Sequence, residues 1–135
     1  MNRRALRLTF SLLGAGAAAA CADATSPPVP APTAFRLDLA TPHTDDGALV
    51  IALRGPEISS LEAASPAYLV YSRSGTAQET RIIVLGDLKA GPLLTLRIAP
   101  GHQLAEYTAT IEQVATRSDA LRDQLSGYRL SLTVP

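Results

Sequence analysis

Residues 80–101 read TRIIVLGDLKAGPLLTLRIAPG, and this stretch decides the fold class. From Ile82 to Leu85 the side chains are β-branched or aliphatic without a break, which marks a strand lying centrally in a sheet. Gly86-Asp87 and Gly91-Pro92 bracket a turn. Beyond it Leu94, Leu96 and Ile98 alternate with Thr95 and Arg97 until Pro100-Gly101 ends the run. Period-two alternation is the signature of a half-buried antiparallel strand.

The same rhythm continues on both sides. Upstream, Phe35, Leu37 and Leu39 share one face while Arg36 and Asp38 take the other. After the turn TPHTDDG (41–47), Leu49, Ile51 and Leu53 lie on one side, and Gly55-Pro56 closes the strand. Ile58 and Leu61 belong to a shorter, weaker segment. The run AYLVYSR (67–73) sets Tyr68 and Val70 opposite Leu69 and Tyr71, and Ser74-Gly75 ends it. Downstream, Tyr107, Ala109 and Ile111 alternate with Glu106, Thr108, Thr110 and Glu112; a final strand aligns Tyr128, Leu130, Leu132 and Val134. One segment breaks the rhythm. In TRSDALRDQLSG (116–127), Thr116 or Ser118 can cap a helix, Leu121 and Leu125 fall at i,i+4, and Gly127 suits the residue past its end. This pattern predicts one short helix near 117–126. Seven or eight short strands at spacings near ten residues then give an all-β chain, an antiparallel, immunoglobulin-like β-sandwich, with a small closed barrel as the alternative.

The amino-terminal end is of another kind. MNRR is followed by the apolar run LTFSLLGAGAAAA (8–20), then by Cys21. A basic start, a short apolar run and small residues before a cut site are the parts of an export signal. The apolar run is shorter than the roughly 20 residues a membrane-spanning helix needs. Ala18, Ala19, Ala20 and Cys21 resemble the lipobox of bacterial lipoproteins, although leucine or valine more often stands three residues before the cysteine. The resemblance implies cleavage after residue 20, diacylglycerol on the Cys21 sulfur and a further acyl chain, such as palmitate, on the new amino terminus. An ordinary signal peptide that leaves Cys21 a free thiol is the alternative. In double-membraned bacteria, Asp directly after the acylated cysteine favours inner-membrane retention. Here Ala22 holds that place, so an outer-membrane destination is expected.

The expected organisation is a signal over 1–20, an acylated cysteine and tether over 21–33, and one domain over 34–135. Residues 22–33, ADATSPPVPAPT, are proline-rich with Val29 as their single large aliphatic side chain. Such a composition stays extended and buries no core. The full chain carries 12 basic and 12 acidic residues. Loss of Arg3, Arg4 and Arg7 with the signal leaves the mature chain mildly acidic, without a basic run, which argues against a nucleic-acid partner.

No residue pattern announces catalysis. His43 and His102 sit in turns without a metal-ligand partner at useful spacing, and no G-x-S-x-G elbow or glycine-rich phosphate loop occurs. No cofactor and no enzyme activity are therefore expected, although a triad assembled only by the fold stays open. The best polar site is the adjacent pair Asp45 and Asp46, which could take calcium with Asp87 from another loop. Calcium needs six or more oxygens, and with Gly47 the aspartates also simply build a turn. Tyr68, Tyr71, Tyr107 and Tyr128 could stack on sugars or pack in the sheets. Arg54, Arg73, Arg81, Arg97 and Arg129 read as a solvated face.

The segments TPHTDDGALVIALRGP (41–56), VLGDLKAGPLLTLRIAP (84–100) and YTATIEQVATRSDALRDQLSGYRLSL (107–132) resemble a group of short bacterial envelope lipoproteins. The GALVIAL strand, and the GDL turn followed by LLTLRI, are more loosely similar to cohesin-type sandwiches. Cohesins bind a protein partner, but what these resemblances imply for this chain is a sandwich fold and an envelope location, with no activity attached and no site residue carried over. The functional expectation is a lipid-anchored, non-catalytic binding or scaffolding module at the outer membrane, periplasmic or surface-facing. A carbohydrate-binding module or a purely structural lipoprotein is the alternative.

Overall fold

In the computed structural model, which describes residues 33–75 and 78–135, the chain is a β-sandwich of eight strands. In chain order these are β1 (Thr33–Ala40), β2 (Asp46–Arg54), β3 (Ile58–Ala63), β4 (Leu69–Ser74), β5 (Glu79–Leu88), β6 (Gly91–Ile98), β7 (Thr108–Thr116) and β8 (Arg129–Thr133). The expected signal over 1–20, Cys21 and the tether as far as residue 32 lie outside the described residues.

One sheet has the order β3-β6-β1-β8 and the other β4-β5-β2-β7. Every ladder is antiparallel. The pairings β1 with β8, β3 with β6, and β4 with β5 nest inside one another, with β2 and β7 also paired, as if one long hairpin had been folded over twice. Period-two patterning explains why. Each strand presents one apolar face, and two sheets packed face to face remove all of those faces from water together.

The core lies between the sheets. From β1 come Phe35, Leu37 and Leu39, from β2 Leu49, Ile51 and Leu53, from β5 Ile82 and Val84, and from β6 Leu94, Leu96 and Ile98, all of them buried. On β1, β2 and β6 these are the residues that the alternation assigns to one face, whereas the unbroken run on β5 assigns none. Burying a side chain of this size contributes about 1.5–3 kcal/mol. Leu93 is buried as well as Leu94, against strict alternation. The β1–β6 ladder slips register between Leu37 and Asp38 at this point, so one extra residue on β6 turns inward.

The helix expected near 117–126 does not form. The only helical turn among the described residues is a 3-10 turn at Leu104–Glu106. The Thr116 hydroxyl does accept nearby backbone N–H groups, from Ser118 at 3.3 Å and Ala120 at 3.2 Å, but it caps a turn rather than a helix. The Thr116 N–H bonds back to the Ala120 carbonyl (2.8 Å), and Asp119 adopts a positive φ of 65°. The chain then runs beside β7: Leu121 bridges Ala115, and Arg122 N–H donates to the Val114 carbonyl at 2.9 Å. Leu121 is exposed while Leu125 packs on the core, so the two never share a face. A local helical preference of a few tenths of a kcal/mol per residue loses to the ion pairs that Arg122 makes, described below.

The two outer faces differ. Over β3-β6-β1-β8 the outward side chains include Glu62, Thr95, Arg97, Arg36, Asp38, Ser131 and Thr133, with an Arg36–Asp38 ion pair at 3.0 Å. Over β4-β5-β2-β7 the outward rows run Leu69, Leu85, Ala48, Ala115 and Tyr71, Ile83, Val50, Gln113. These two rows make much of the second sheet's outer face apolar, and the next row, Arg73, Arg81, Ala52 and Thr110, turns polar and charged. Neighbouring isoleucines on β5 should therefore behave differently. Ile82→Ala is expected to lose about 2–5 kcal/mol of unfolding free energy, as buried large-to-small changes do. Ile83→Ala, on the outer face, should stay within about 0.5 kcal/mol. Denaturant unfolding of both variants checks this directly.

Candidate functional site

Asp45 and Asp46 end the β1–β2 turn, and their neighbours decide what they do. By strict alternation Asp46 would share the outer face with Ala48 and Val50. Instead its side chain is fully buried. The β2 ladder shifts register between Asp46 and Ala48 against both β5 and β7, which frees Asp46 from the face of its successors. Gly47 is required at this shift, because a Cβ there would lie 2.8 Å from the Arg117 Cα.

Three side chains then converge on the Asp46 carboxylate. Thr41 Oγ1 donates to Oδ2 at 2.6 Å while accepting the His43 N–H at 3.1 Å. Arg122 donates to Oδ1 from Nε at 3.2 Å and from Nη2 at 3.0 Å. The Tyr128 hydroxyl stands 2.8 and 2.9 Å from the two oxygens and shares its one proton between them. Arg122 Nη2 also donates to Asp45 Oδ1. The His43 ring leans on Tyr128, with centroids 5.7 Å apart. The cluster joins the β1–β2 turn, the start of β2 and the β7–β8 connection at one end of the sandwich.

Burial alone would raise the Asp46 pKa. The hydrogen bonds from Thr41, Tyr128 and Arg122, with the attraction of the guanidinium, outweigh it and hold the carboxyl below the usual carboxylate range. The Tyr128 hydroxyl is pushed the other way, first by burial and then by its bond to the carboxylate.

Asp87 lies on a separate ion-pair system. Lys89 Nζ is 3.0 Å from its Oδ2, and Arg117 donates from Nη1 to its Oδ1 at 3.1 Å. Arg117 N–H in turn donates to the Asp45 carbonyl at 2.8 Å. The structure thus brings Asp45 and Asp46 together around an arginine and sets Asp87 with cations of its own. Among the described residues no three His, Cys, Asp or Glu side chains gather as a metal-binding group. What the Asp45–Asp46 pair can do chemically is hold a guanidinium. Arg122 was not legible as its partner, because 76 positions separate it from Asp46.

The other candidates disperse. His102 Nδ1 is 2.8 Å from Glu106 Oε2 beside the exposed 3-10 turn. Tyr107 is buried, Tyr68 and Tyr128 pack against the core, and Tyr71 alone is largely exposed, at 57%. The tyrosines form no exposed row. Of the arginines, Arg54 pairs with Glu79 at 2.9 Å and Arg97 with Glu62 at 3.6 Å. Arg81 grips Glu112 with two contacts, of 2.8 and 3.0 Å. Arg73 lies directly opposite Arg81 across the β4–β5 ladder.

What sequence reading missed is the outer face of the second sheet. Leu69 and Tyr71 are each 57% exposed and Ile83 38%. Beside them lies a shallow depression of about 460 Å³, lined by Val50, Arg81, Ile83, Glu112 and Gln113. The unbroken Ile82–Leu85 run was the available signal, since a strand with one wet face would have alternated.

The Asp46 pair makes stability depend on pH. Its carboxyl titrates lower in the folded chain than the unfolded value of about 3.9. The stabilisation is therefore fully present above that value and lost as pH falls through the folded one. Unfolding free energy measured between pH 7 and pH 2 should fall more steeply for the wild type than for Asp46→Asn. At pH 7, Asp46→Ala should cost about 3–5 kcal/mol, the usual loss when one member of a buried pair is removed.

Comparison of the chain with protein-family models, with curated proteins and with solved structures finds no match.

Proposed function

We propose that this chain is a lipid-anchored protein of the bacterial cell envelope, acting as a non-catalytic module that binds a protein partner through the outer face of β4-β5-β2-β7. The single observation that carries the binding part is the contrast between the two outer faces. An antiparallel sheet ordinarily keeps its solvent face polar, as β3-β6-β1-β8 does. The other sheet spends Leu69, Tyr71, Ile83, Leu85 and Val50 on a surface where they contribute nothing to the core. A contiguous apolar patch rimmed by charged side chains marks an interaction site, and Arg73, Arg81 and Glu112 supply the rim. A tyrosine and aliphatic side chains at its centre suit a protein surface.

The anchor rests on the sequence: the basic start, the short apolar run and Cys21. Ala22 after that cysteine favours the outer membrane. Two or three acyl chains hold a protein firmly, because each buried methylene contributes about 0.8 kcal/mol. The proline-rich segment would stand the domain off the bilayer by about 3 Å per extended residue. Sugar binding fits less well, since the tyrosines do not line up on one surface.

Both parts have direct tests. Labelling cells with an alkyne analogue of palmitate should tag the wild-type chain and fail to tag Cys21→Ser; equal labelling of both would remove the anchor. For binding, full-length protein is crosslinked in its native membranes and its neighbours identified by mass spectrometry. Tyr71→Glu and Ile83→Glu should lose a specific neighbour at unchanged protein level, whereas Thr95→Glu, on the opposite face, should keep it. The reverse pattern would overturn the assignment of the face.

A further inference from the structure

Four strands form the edges of the two sheets: β3 and β8 in one, β4 and β7 in the other. An edge strand presents unpaired N–H and C=O groups, and folded proteins blunt it with shortness, bulges, charge, proline or a covering segment. Three of the four edges follow that rule. The β3 ladder is broken by a register shift between Ile58 and Ser60. β8 has five residues and is followed by Val134 and Pro135. β7 is bulged opposite Val50–Ile51, and the Thr116–Arg122 segment folds back onto its end through the Val114 carbonyl and the Ala115–Leu121 bridge.

β4 is different. Its six residues pair with β5 in one unbroken register, Leu69 with Leu85 through Ser74 with Thr80. It holds no proline and no bulge, Arg73 is its one charged side chain, and five of its six residues are exposed. Among the described residues no strand hydrogen-bonds to its outer edge, although β3 of the facing sheet runs near it, with Ser72 and Ser74 sharing a cleft with Ile58 to Leu61. The same strand carries Leu69 and Tyr71, the two most exposed side chains of the apolar face, and Arg73 beyond them. Arg73 faces Arg81, whose charge is met by Glu112, while Arg73 itself pairs with no carboxylate among the described residues. Like charges directly opposite across a ladder are unfavourable, so this corner of the sheet lacks one negative charge.

We propose that the partner binds by strand addition: an extended segment of the partner protein pairs with the outer edge of β4, lays alternate apolar side chains beside Leu69 and Tyr71, and sets an Asp or Glu against Arg73. This rests on the protein-binding role proposed above and names its mode. Main-chain hydrogen bonds supply affinity in this kind of recognition and alternate side chains supply selectivity. A second copy of the chain is the less fitting occupant. Antiparallel pairing of β4 with itself would bring two copies of Arg73, Arg81 and Arg54 together, with two copies of Glu112 and Glu79 to meet them, which leaves an excess of positive charge.

The probe is a phage-displayed library of random nonapeptides, selected on the full-length protein in detergent. Selected sequences are expected to alternate apolar residues and to carry an Asp or Glu. The best of them, made as a free peptide, should lose at least tenfold in affinity towards Arg73→Glu and regain it when its own acid is changed to Lys. Methylating alternate backbone nitrogens on the edge-facing side of the peptide should abolish binding. Peptides that bind equally well after methylation of either set of nitrogens, or that ignore Arg73→Glu, would overturn strand addition. So would a free protein that already dimerises through β4, seen as β4 amide protection that disappears on dilution. If no peptide is enriched, strand addition fails; whether the wider binding role fails with it is decided separately, by the neighbour lost in Tyr71→Glu membranes.

Discussion

The Asp46 carboxylate is the constraint around which one end of this sandwich is arranged. A fully buried charge is tolerated only when its lone pairs are satisfied and an opposite charge is close. Here Thr41 from the β1–β2 turn and Arg122 and Tyr128 from the β7–β8 connection meet that demand. Meeting it fixes more than the residues involved. The β1–β2 turn closes on Thr41, the β7–β8 connection follows Arg122 along β7 instead of coiling, and β8 enters its sheet just after Tyr128. The core holds the two sheets together through non-directional burial. The carboxylate adds a directional fastening where three chain segments meet, which non-directional packing cannot provide.

That division of labour explains what could be read from the sequence. The inner faces were legible because period-two alternation survives in any antiparallel context, and Leu37, Leu49, Ile51 and Leu96 lie where it places them. The single-residue slips were not legible. Nothing local indicates that the ladder shifts at Gly47 and brings Asp46 inside, or that Leu93 joins Leu94 in the core. The 117–126 segment shows the same limit. Its caps and its Leu121–Leu125 spacing are locally consistent with a helix, yet an arginine within it has a partner 76 positions away. Asp45 and Asp46 were found as the most distinctive polar pair, and what they bind is a cation of the chain itself.

The second sheet poses the opposite case, in which residues are apolar without being needed for the core. The sequence signalled it through Ile82–Leu85, read as a strand inside a sheet. β5 does lie between β4 and β2, but being flanked by strands does not cover a face. The apolar outer surface, the β4 edge and Arg73, which pairs with no carboxylate among the described residues, coincide at one side of the molecule, while the outer face of the opposite sheet is polar and its edges are blunted.

The central claim is that this side of the sandwich is covered in the cell. Hydrogen–deuterium exchange resolves it most directly, comparing full-length protein labelled in its native membranes with the same protein purified in detergent. The account predicts that amides of β4 exchange slowly in the membrane and quickly after purification, with β3 and β8 unchanged between the two. Equal exchange of β4 in both preparations, or protection confined to the β3-β6-β1-β8 sheet, would contradict it.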